Sequence, residues 1–347
     1  MIQIGDHAIG EGQPCFIIAE AGVNHNGDLE LGFKLVDLAL NAGADAIKFQ
    51  TFRPEALVSR DAPKADYQLE STAPEDSQLT MLQRLALTED EYRQLKAYSD
   101  EQGIMFISTP FDRGSVDLLD NLSVPAFKVG SGELTNLLLL KHIASKGKPI
   151  IFSTGMGSIG EVETAIQTFR EQGNDQLIAL HCVSNYPSDP ADSNLRAMAT
   201  MHAAFNIPIG YSDHTMGIAV PIAAVALGAC VIEKHLTLDK ALSGPDHRAS
   251  LEPDEFAHMV TGIREAQSAL GHGRKEPAAS EIASASTIRR SLVAARDLPS
   301  GTVLAESDLA VKRPGTGLPP GFLPHLVGRT VRIPISADSL ITLDQLQ

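Results

Sequence analysis

Along the first 270 residues or so, hydrophobic and polar positions fall into two recurring kinds of block. Short, almost uninterrupted apolar runs rich in β-branched and aromatic residues appear eight times: FIIAEAGVNH (16–25), AIKFQTF (46–52), MFISTPF (105–111), FKVGSGE (127–133), PIIFSTGM (149–156), LIALHCVSNYP (177–187), IPIGYSDH (207–214) and CVIEKHLT (230–237). Hydrophobicity this continuous marks strands buried on both faces, as parallel strands are. Between most of them lie segments such as LELGFKLVDLALNAGA and SIGEVETAIQTFREQG, where apolar residues return at helical spacing and a glycine closes the pattern. The joint recurs too, since NAGADAIKFQ before the second run resembles ALGACVIEKH at the eighth. Eight strand–helix units predict an α/β protein of the (β/α)8 TIM-barrel type. An open doubly wound sheet usually has fewer strands and a glycine-rich first turn, and no GxGxxG follows the first run.

Within each run the apolar residues come first and the polar ones gather at the carboxyl end: Glu20, Asn24 and His25; Lys48 and Gln50; Lys128, Ser131 and Glu133; Ser153 and Thr154; Asn185 and Tyr186; Ser212, Asp213 and His214; Lys234 and His235. Barrel enzymes carry their chemistry at that end. The seventh and eighth runs each present a histidine there, which brings His214 and His235 to one rim on adjacent strands. A lone histidine at a strand end is ordinarily a hydrogen-bonded structural group. Two on neighbouring strands, beside Asp213 and Glu233, are placed to share a divalent metal, and two imidazoles leave positions for water and substrate, as a catalytic ion needs. Lys48 and Lys128 read either as rim lysines whose stems cover apolar surface or, with Ser131, Ser153 and Ser212, as an anion pocket of cations and hydroxyls.

Composition narrows the partners. With 347 residues and 43% hydrophobic content, the chain can bury a large core. The formal net charge of −15 argues against nucleic acid or an anionic membrane as partner, so an anionic substrate would have to be drawn in by a local basic pocket. The longest apolar stretch, near 218–231, is interrupted by Pro221 and Gly228 and falls short of the roughly 20 residues of a membrane span. The amino terminus lacks the basic start and apolar block of a signal peptide, and Cys15, Cys182 and Cys230 have no paired spacing. The expectation is a cytoplasmic protein with reduced cysteines. We read residues 1–272 as the barrel, 273–287 (GRKEPAASEIASAST) as a polar linker, and 288–347, with short strands punctuated by proline and glycine, as a small, mostly β domain of a size that gains stability by docking on a partner.

IIAEAGVNHNGD, IKFQTF, FISTPFD, FKVGSGE, STGM, HCVSNYP, GYSDHT, EKHLTLD and GPDH occur in order, followed by RRSLVAARDLPSGTVL and KRPGTGLP. Over essentially its whole length the chain thereby resembles the sialic acid synthases, which condense phosphoenolpyruvate with N-acylated amino sugars, with the antifreeze-like SAF domain appended. The resemblance implies that C3 of phosphoenolpyruvate attacks the aldehyde of an open-chain sugar, water adds to the resulting oxocarbenium carbon, and phosphate leaves with C–O cleavage. It implies a manganese or magnesium ion on His214 and His235, with Gln50 and Glu133 holding metal-bound water. By the same match Lys48, Lys128, Ser131, Ser153 and Ser212 bind phosphoenolpyruvate, and Glu20, Tyr186, Asp246 and the SAF-domain Arg313 hold the sugar. The product would be N-acetylneuraminate or N,N'-diacetyllegionaminate, and GPDHRASLEP looks more like the legionaminic acid synthases.

One position departs from that pattern: Ser184 stands two residues before Tyr186, where the sialic acid synthases carry asparagine. The family also forms domain-swapped homodimers, and a linker of about 15 residues can extend roughly 50 Å, so chain reach alone allows Arg313 to serve either barrel. Two other classes remain to be weighed. One is a Schiff-base keto-acid aldolase using Lys128 or Lys48 as the imine-forming amine. The other is a non-catalytic binding module carried by the small domain, against which stands the full set of polar residues at the barrel rim.

Overall fold

The computed structural model describes residues 1–65, 68–69 and 76–347. It divides into two compact units, Met1–Gly271 and His272–Gln347.

In the first unit eight parallel strands close into a barrel: β3 (Phe16–Gly22), β4 (Ala46–Thr51), β5 (Met105–Pro110), β6 (Phe127–Val129), β7 (Ile150–Ser153), β8 (Leu177–Cys182), β9 (Ile209–Asp213) and β10 (Val231–His235), with β10 pairing back onto β3. Each expected strand is present, and each is shorter than the run that marked it. Of the polar residues at the carboxyl end of the runs, about half lie on the strands and the rest in the loops beyond. Alternation within a strand sorts side chains into two cores. Phe16, Ile18, Ala46, Ile107, Ile151, Ile178 and Val231 fill the barrel interior, while Ile17, Ala19, Ile47, Phe106, Phe152 and Ile232 meet the surrounding helices. The helices begin where short polar residues can accept their free N–H groups. Asp28 caps Leu29–Asn41, Asp112 caps Arg113–Asn121, and capping boxes pair Thr88 with Glu91 and Ser158 with Glu161.

Two features lay outside the sequence reading. A hairpin of β1 (Ile2–Ile4) and β2 (His7–Ile9) sets Ile4 and Ile9, both essentially unexposed, in contact with the interior core at the amino ends of the strands. Burying each side chain contributes roughly 1.5–3 kcal/mol. The second lies in the segment read as a polar linker, which contains a helix, Ala279–Ile288. Its alanines favour the helical state, the Glu281 side chain accepts from the Ala278 N–H at 2.8 Å, and Gly315 N–H donates to the Ser286 carbonyl at 2.7 Å, tying the helix to the second unit.

The second unit pairs β11 (Ser291–Ala294) antiparallel with β12 (Leu309–Lys312) and packs Leu292, Leu298, Leu304, Leu326, Val331 and Ile341 into its own core.

Candidate active site

All of the barrel residues expected to bind substrate or metal line one cavity of about 500 Å³ at the carboxyl ends of the strands, whereas Asn24, His25, Thr154, Asn185, Asp213 and Lys234 do not line it. Cross-strand register assembles it. Lys48 on β4 stands opposite Glu20 on β3, Glu20 opposite His235 on β10, and Glu233 opposite Ser212 on β9. A larger groove of about 830 Å³ lies at the opposite, amino end of the strands, between the Gly10–Pro14 loop and the helices, and contains none of these residues. The smaller cavity is the functional candidate because it alone gathers the titratable groups.

Its floor is a charge network. The Lys48 ammonium sits 2.7 Å from Glu20 and 3.7 Å from Glu233, and Lys128 lies 3.5 Å from Glu233 while donating to the Ser153 hydroxyl at 2.7 Å. The Ser212 hydroxyl donates to Glu233 at 2.9 Å. Each of these six residues is at most about 5% exposed. Burial works against the charge on Glu233, but Lys128 and Lys48 hold its carboxylate below the usual range. Burial likewise opposes the Lys48 charge, which Glu20 and Glu233 nevertheless keep above the usual lysine range. At Lys128 burial prevails and its ammonium is held less tightly than normal. The site thus carries two cations that an incoming anion can engage, balanced for the moment by carboxylates.

Ser131 closes the pocket on the far side, where its hydroxyl accepts from the Gly155 N–H at 3.0 Å. Glycine is required here. A Cβ on residue 155 would lie 2.2 Å from the Ser184 hydroxyl oxygen and 2.8 Å from that of Ser131. The Ser184 hydroxyl oxygen itself is buried with no hydrogen-bond partner among the described residues.

Opposite the serines, Gly22 turns with φ +55° and brings three polar groups together. A Cβ there would stand 3.2 Å from the Glu20 carboxylate, 3.3 Å from the Gln50 amide and 3.6 Å from Asp246. The Gln50 amide donates to Glu20 at 3.0 Å. Burial, only partly offset by Lys48, raises the Glu20 carboxyl above its ordinary range, and burial together with the nearby Glu20 pushes Asp246 to about 7. Glu133 is half-buried, accepts from the Asn136 amide at 2.6 Å, and is raised by burial.

The two histidines meet as their strands dictate, with ring centroids 5.4 Å apart. Tyr186 lies 4.0 Å from the His214 ring and 5.7 Å from that of His235. His214 Nδ1 lies 2.7 Å from the Val183 carbonyl, an arrangement in which Nδ1 carries the proton and Nε2 keeps its lone pair. His235 Nδ1 is buried without a hydrogen-bond partner among the described residues, and burial with His214 and the lysines holds that ring neutral. Burial works against a charge on His214, yet Cys182, the Val183 carbonyl and Glu233 hold that ring above the ordinary histidine range, so a cation there would take the place of a proton. Two imidazoles, one with an orphaned nitrogen, fit a divalent metal. Among the described residues no group of three or more His, Cys, Asp or Glu side chains offers a closed metal site, so an ion here would retain open positions. Arg313 belongs to the second unit, where it is exposed and its Nε donates to the Ile288 carbonyl at 3.0 Å.

The sequence reading named Glu233 only as a neighbour of the histidines, Thr109 only as a polar residue at the end of the third run, and Cys182 only as a reduced core cysteine. Glu233 proves to be the counter-ion of both lysines, the Thr109 hydroxyl accepts from Lys48 at 3.2 Å, and the Cys182 sulfur lies 3.8 Å from His214. Position within the eighth run could have found Glu233, since it alternates with Lys234 and shares the inward face of His235.

A closed barrel whose carboxyl rim combines buried lysines, serine hydroxyls and a histidine pair belongs to the class of (β/α)8 enzymes that act on anionic substrates. Sequence comparison gives the family. The NeuB family profile matches residues 35–275 and the SAF domain profile matches residues 289–347. The chain is 47% identical to the N,N'-diacetyllegionaminic acid synthase of Legionella pneumophila over 97% of its own length and 96% of that protein's, and 46% identical to the synthase of the same name from Campylobacter jejuni over 94% and 98%. Among solved structures, the N-acetylneuraminic acid synthetase of Leptospira borgpetersenii, in complex with citrate, is 38% identical with a TM-score of 0.73, covering 82% of this chain and 94% of that one. The chain therefore belongs to the NeuB family. It is a nonulosonate synthase, an enzyme of the phosphoenolpyruvate-dependent, carbon–carbon bond-forming transferase class. Among the described residues no helix is long and apolar enough to cross a membrane.

Proposed function

We propose that this synthase condenses phosphoenolpyruvate with 2,4-diacetamido-2,4,6-trideoxymannose in its open-chain form, giving N,N'-diacetyllegionaminate and phosphate, with N-acetylmannosamine and N-acetylneuraminate as the alternative pair. The observation that carries the reading is the single cavity joining Lys48, Lys128 and the serines to the histidine pair. Lys128, Ser131, Ser153 and Ser212 bind the phosphate, and Lys48 binds the carboxylate end. Both lysines exchange part of their pairing with Glu233 for the substrate, which is how a strongly acidic protein captures an anion. Glu20 and Asp246 accept from sugar hydroxyls, and Tyr186 packs against the sugar beside the histidines. The cavity wall formed by Leu57, Met81, Leu82 and Phe111 suits the methyl of a 6-deoxy sugar, and two relatives, at 47% and 46% identity, carry the legionaminic name.

His214 and His235 hold the divalent cation, manganese or magnesium, which supplies Lewis-acid polarisation of the aldehyde oxygen. Gln50 and Glu133 orient water at that site. Glu133, with its raised carboxyl, is placed to exchange a proton with the water that adds to C2. The three cysteines are free and buried, which fits a cytoplasmic setting. Arg313 would reach the sugar's acyl carbonyl in a domain-swapped homodimer. In keeping with such docking, the acidic excess of the chain resides in the barrel, whereas basic residues slightly outnumber acidic ones in the small unit.

Phosphate release from phosphoenolpyruvate, measured with a panel of N-acyl hexosamines and their 6-deoxy and 6-phosphorylated forms, tests the reading. The diacetamido sugar should give the highest kcat/KM, and no release with any member would sink it. The depressed Lys128 ammonium is the one observation favouring a Schiff-base aldolase, and borohydride in the presence of substrate separates the two. A stable adduct on Lys128 or Lys48 would favour the aldolase. Activity lost to a chelator and regained with manganese favours the synthase.

A further inference from the structure

One strongly buried charge pair in the barrel takes no part in the substrate cavity. Lys234 and Asp213 precede the two histidines on β10 and β9. They stand opposite each other in the strand register and are 0% and 1% exposed. Because side chains alternate along a strand, Ser212, His214, Glu233 and His235 face the cavity, whereas Asp213 and Lys234 face away from it. The Lys234 ammonium donates to the Asp213 carboxylate at 2.5 Å and also to the Thr215 carbonyl. Asp213 in turn accepts from the Thr215 backbone N–H and from its hydroxyl, both at 3.1 Å. The residues on either side of His214 are thereby tied to the residue before His235.

A pair in this position is costly. Two ions taken out of water lose several kcal/mol of hydration each, and well-packed apolar residues of similar size would serve stability as well or better. What the pair supplies is geometry. The remaining bonds around the histidines point the same way: Ser188 N–H donates to the His214 carbonyl at 2.9 Å, and Leu251 N–H donates to that of His235 at 2.8 Å. On the face turned away from the cavity, the Lys234–Asp213–Thr215 cluster links one histidine's strand directly to the other's by side chains, as the Ser212–Glu233 bond does on the cavity side.

We infer that the Lys234–Asp213 ion pair, with Thr215, is a positioning clamp that sets the spacing of the His214 and His235 imidazoles for one divalent cation. The clamp rests on the proposed metal reading, and its test separates the two. Manganese binding to the full-length protein is titrated by electron paramagnetic resonance, with fold checked by circular dichroism and the phosphoenolpyruvate affinity measured in parallel. Asp213→Asn keeps the shape of the side chain while removing the charge that holds Lys234. In the folded variant manganese affinity should drop about 10- to 100-fold, the range for residues that support metal ligands, while phosphoenolpyruvate affinity stays within about twofold because Lys48 and Lys128 lie on other strands. A merely structural pair would lower the melting temperature and leave the manganese affinity unchanged in the molecules that remain folded, and that result overturns the clamp. Should the asparagine variant not fold, Thr215→Val, which deletes one hydroxyl bond and no charge, takes its place. The clamp then requires a loss of about fivefold, and an unchanged affinity overturns it. Absence of manganese binding by the wild type removes the metal reading and the clamp together, whereas equal binding by wild type and variant removes the clamp alone.

Discussion

Glu233→Gln isolates the electrostatics of the cavity floor. The carboxylate lies 3.7 Å from the Lys48 ammonium and 3.5 Å from that of Lys128, all three groups being buried. Glutamine keeps the volume and can still accept from Ser212, so packing is unchanged. The charge balance is altered. Lys48 retains Glu20 at 2.7 Å, but Lys128 is left with only the Ser153 hydroxyl and the Val129 carbonyl. Removing one partner of a buried pair costs about 3–5 kcal/mol, and at about 2 °C or more per kcal/mol for a domain of this size the melting temperature should fall by at least about 6 °C. Lys128 can escape by losing its proton, since burial already lowers its affinity for one. A lysine with a folded pKa further below the unfolded value loses stability as pH falls, so the deficit of the variant should be largest at low pH and shrink toward pH 10. An anion supplies the missing charge. Two unit charges 4 Å apart at an effective dielectric of 20 interact by about 4 kcal/mol, and a third of that is already about tenfold in affinity. Phosphoenolpyruvate should therefore bind the variant at least about tenfold more tightly than the wild type and restore most of the lost melting temperature. Differential scanning fluorimetry of the full chain across a phosphoenolpyruvate titration measures both effects. A variant as stable as the wild type, or one that phosphoenolpyruvate stabilises no more than the wild type, would refute Glu233 as the counter-ion that the substrate displaces.

Lys128→Met should raise the KM for phosphoenolpyruvate sharply with little change in that for the sugar; an equal effect on both would remove Lys128 from the phosphate site. His214→Ala and His235→Ala should each abolish turnover with an unchanged circular dichroism spectrum, and unfolding of either would make it structural. His25 and His247 are both pushed down to about 4 by burial, so the folded state binds fewer protons than the unfolded chain between pH 6.5 and 4, and stability should fall as pH drops through that window, on the order of 3 kcal/mol for the fully buried His25. Asp246, raised to about 7, has the opposite slope, so the readout is the difference between wild type and His25→Gln across the window; parallel curves would contradict the burial argument. Arg313→Ala and His235→Ala, each nearly inactive alone, should regain activity when co-expressed and purified as the mixed dimer, and an inactive mixed dimer would rule out action in trans.

The barrel was legible because burial on both faces leaves an unmistakable apolar run, and the site was legible because the barrel's carboxyl rim interrupts each run at a predictable end. His214 and His235 illustrate the second point, being read from consecutive runs and found with rings 5.4 Å apart. The helix Ala279–Ile288 was missed for a physical reason. It buries no residue, so it has no apolar stripe to betray it, and only its alanine content and the Glu281 cap bespeak a helix. The β1–β2 hairpin was missed because strands of three residues carry too few positions to establish a period. Glu233 was passed over because a carboxylate in an apolar run draws attention to the neighbouring histidine, and its partners, Lys48 and Lys128, lie far away in sequence. Pairing of that kind becomes visible only when the strands are laid side by side.

Those pairings also explain how one cavity can serve two unlike substrates. On the Lys48–Lys128 side, buried ammonium groups face serine hydroxyls, a setting that favours a multiply charged anion and excludes a neutral sugar, which could not replace Glu233 as counter-ion. On the Glu20–Asp246 side, burial raises both carboxyls, so they carry less negative charge than ordinary carboxylates and suit hydrogen bonds with the hydroxyls of a neutral sugar. The histidine pair lies where the two regions meet, on β9 and β10, with Glu20 opposite His235 in register and Ser212 two residues before His214. Under the proposed function, orientation of the two substrates would therefore follow from charge before any shape complementarity is needed, and the reacting carbons would meet beside the histidine pair proposed to hold the metal ion.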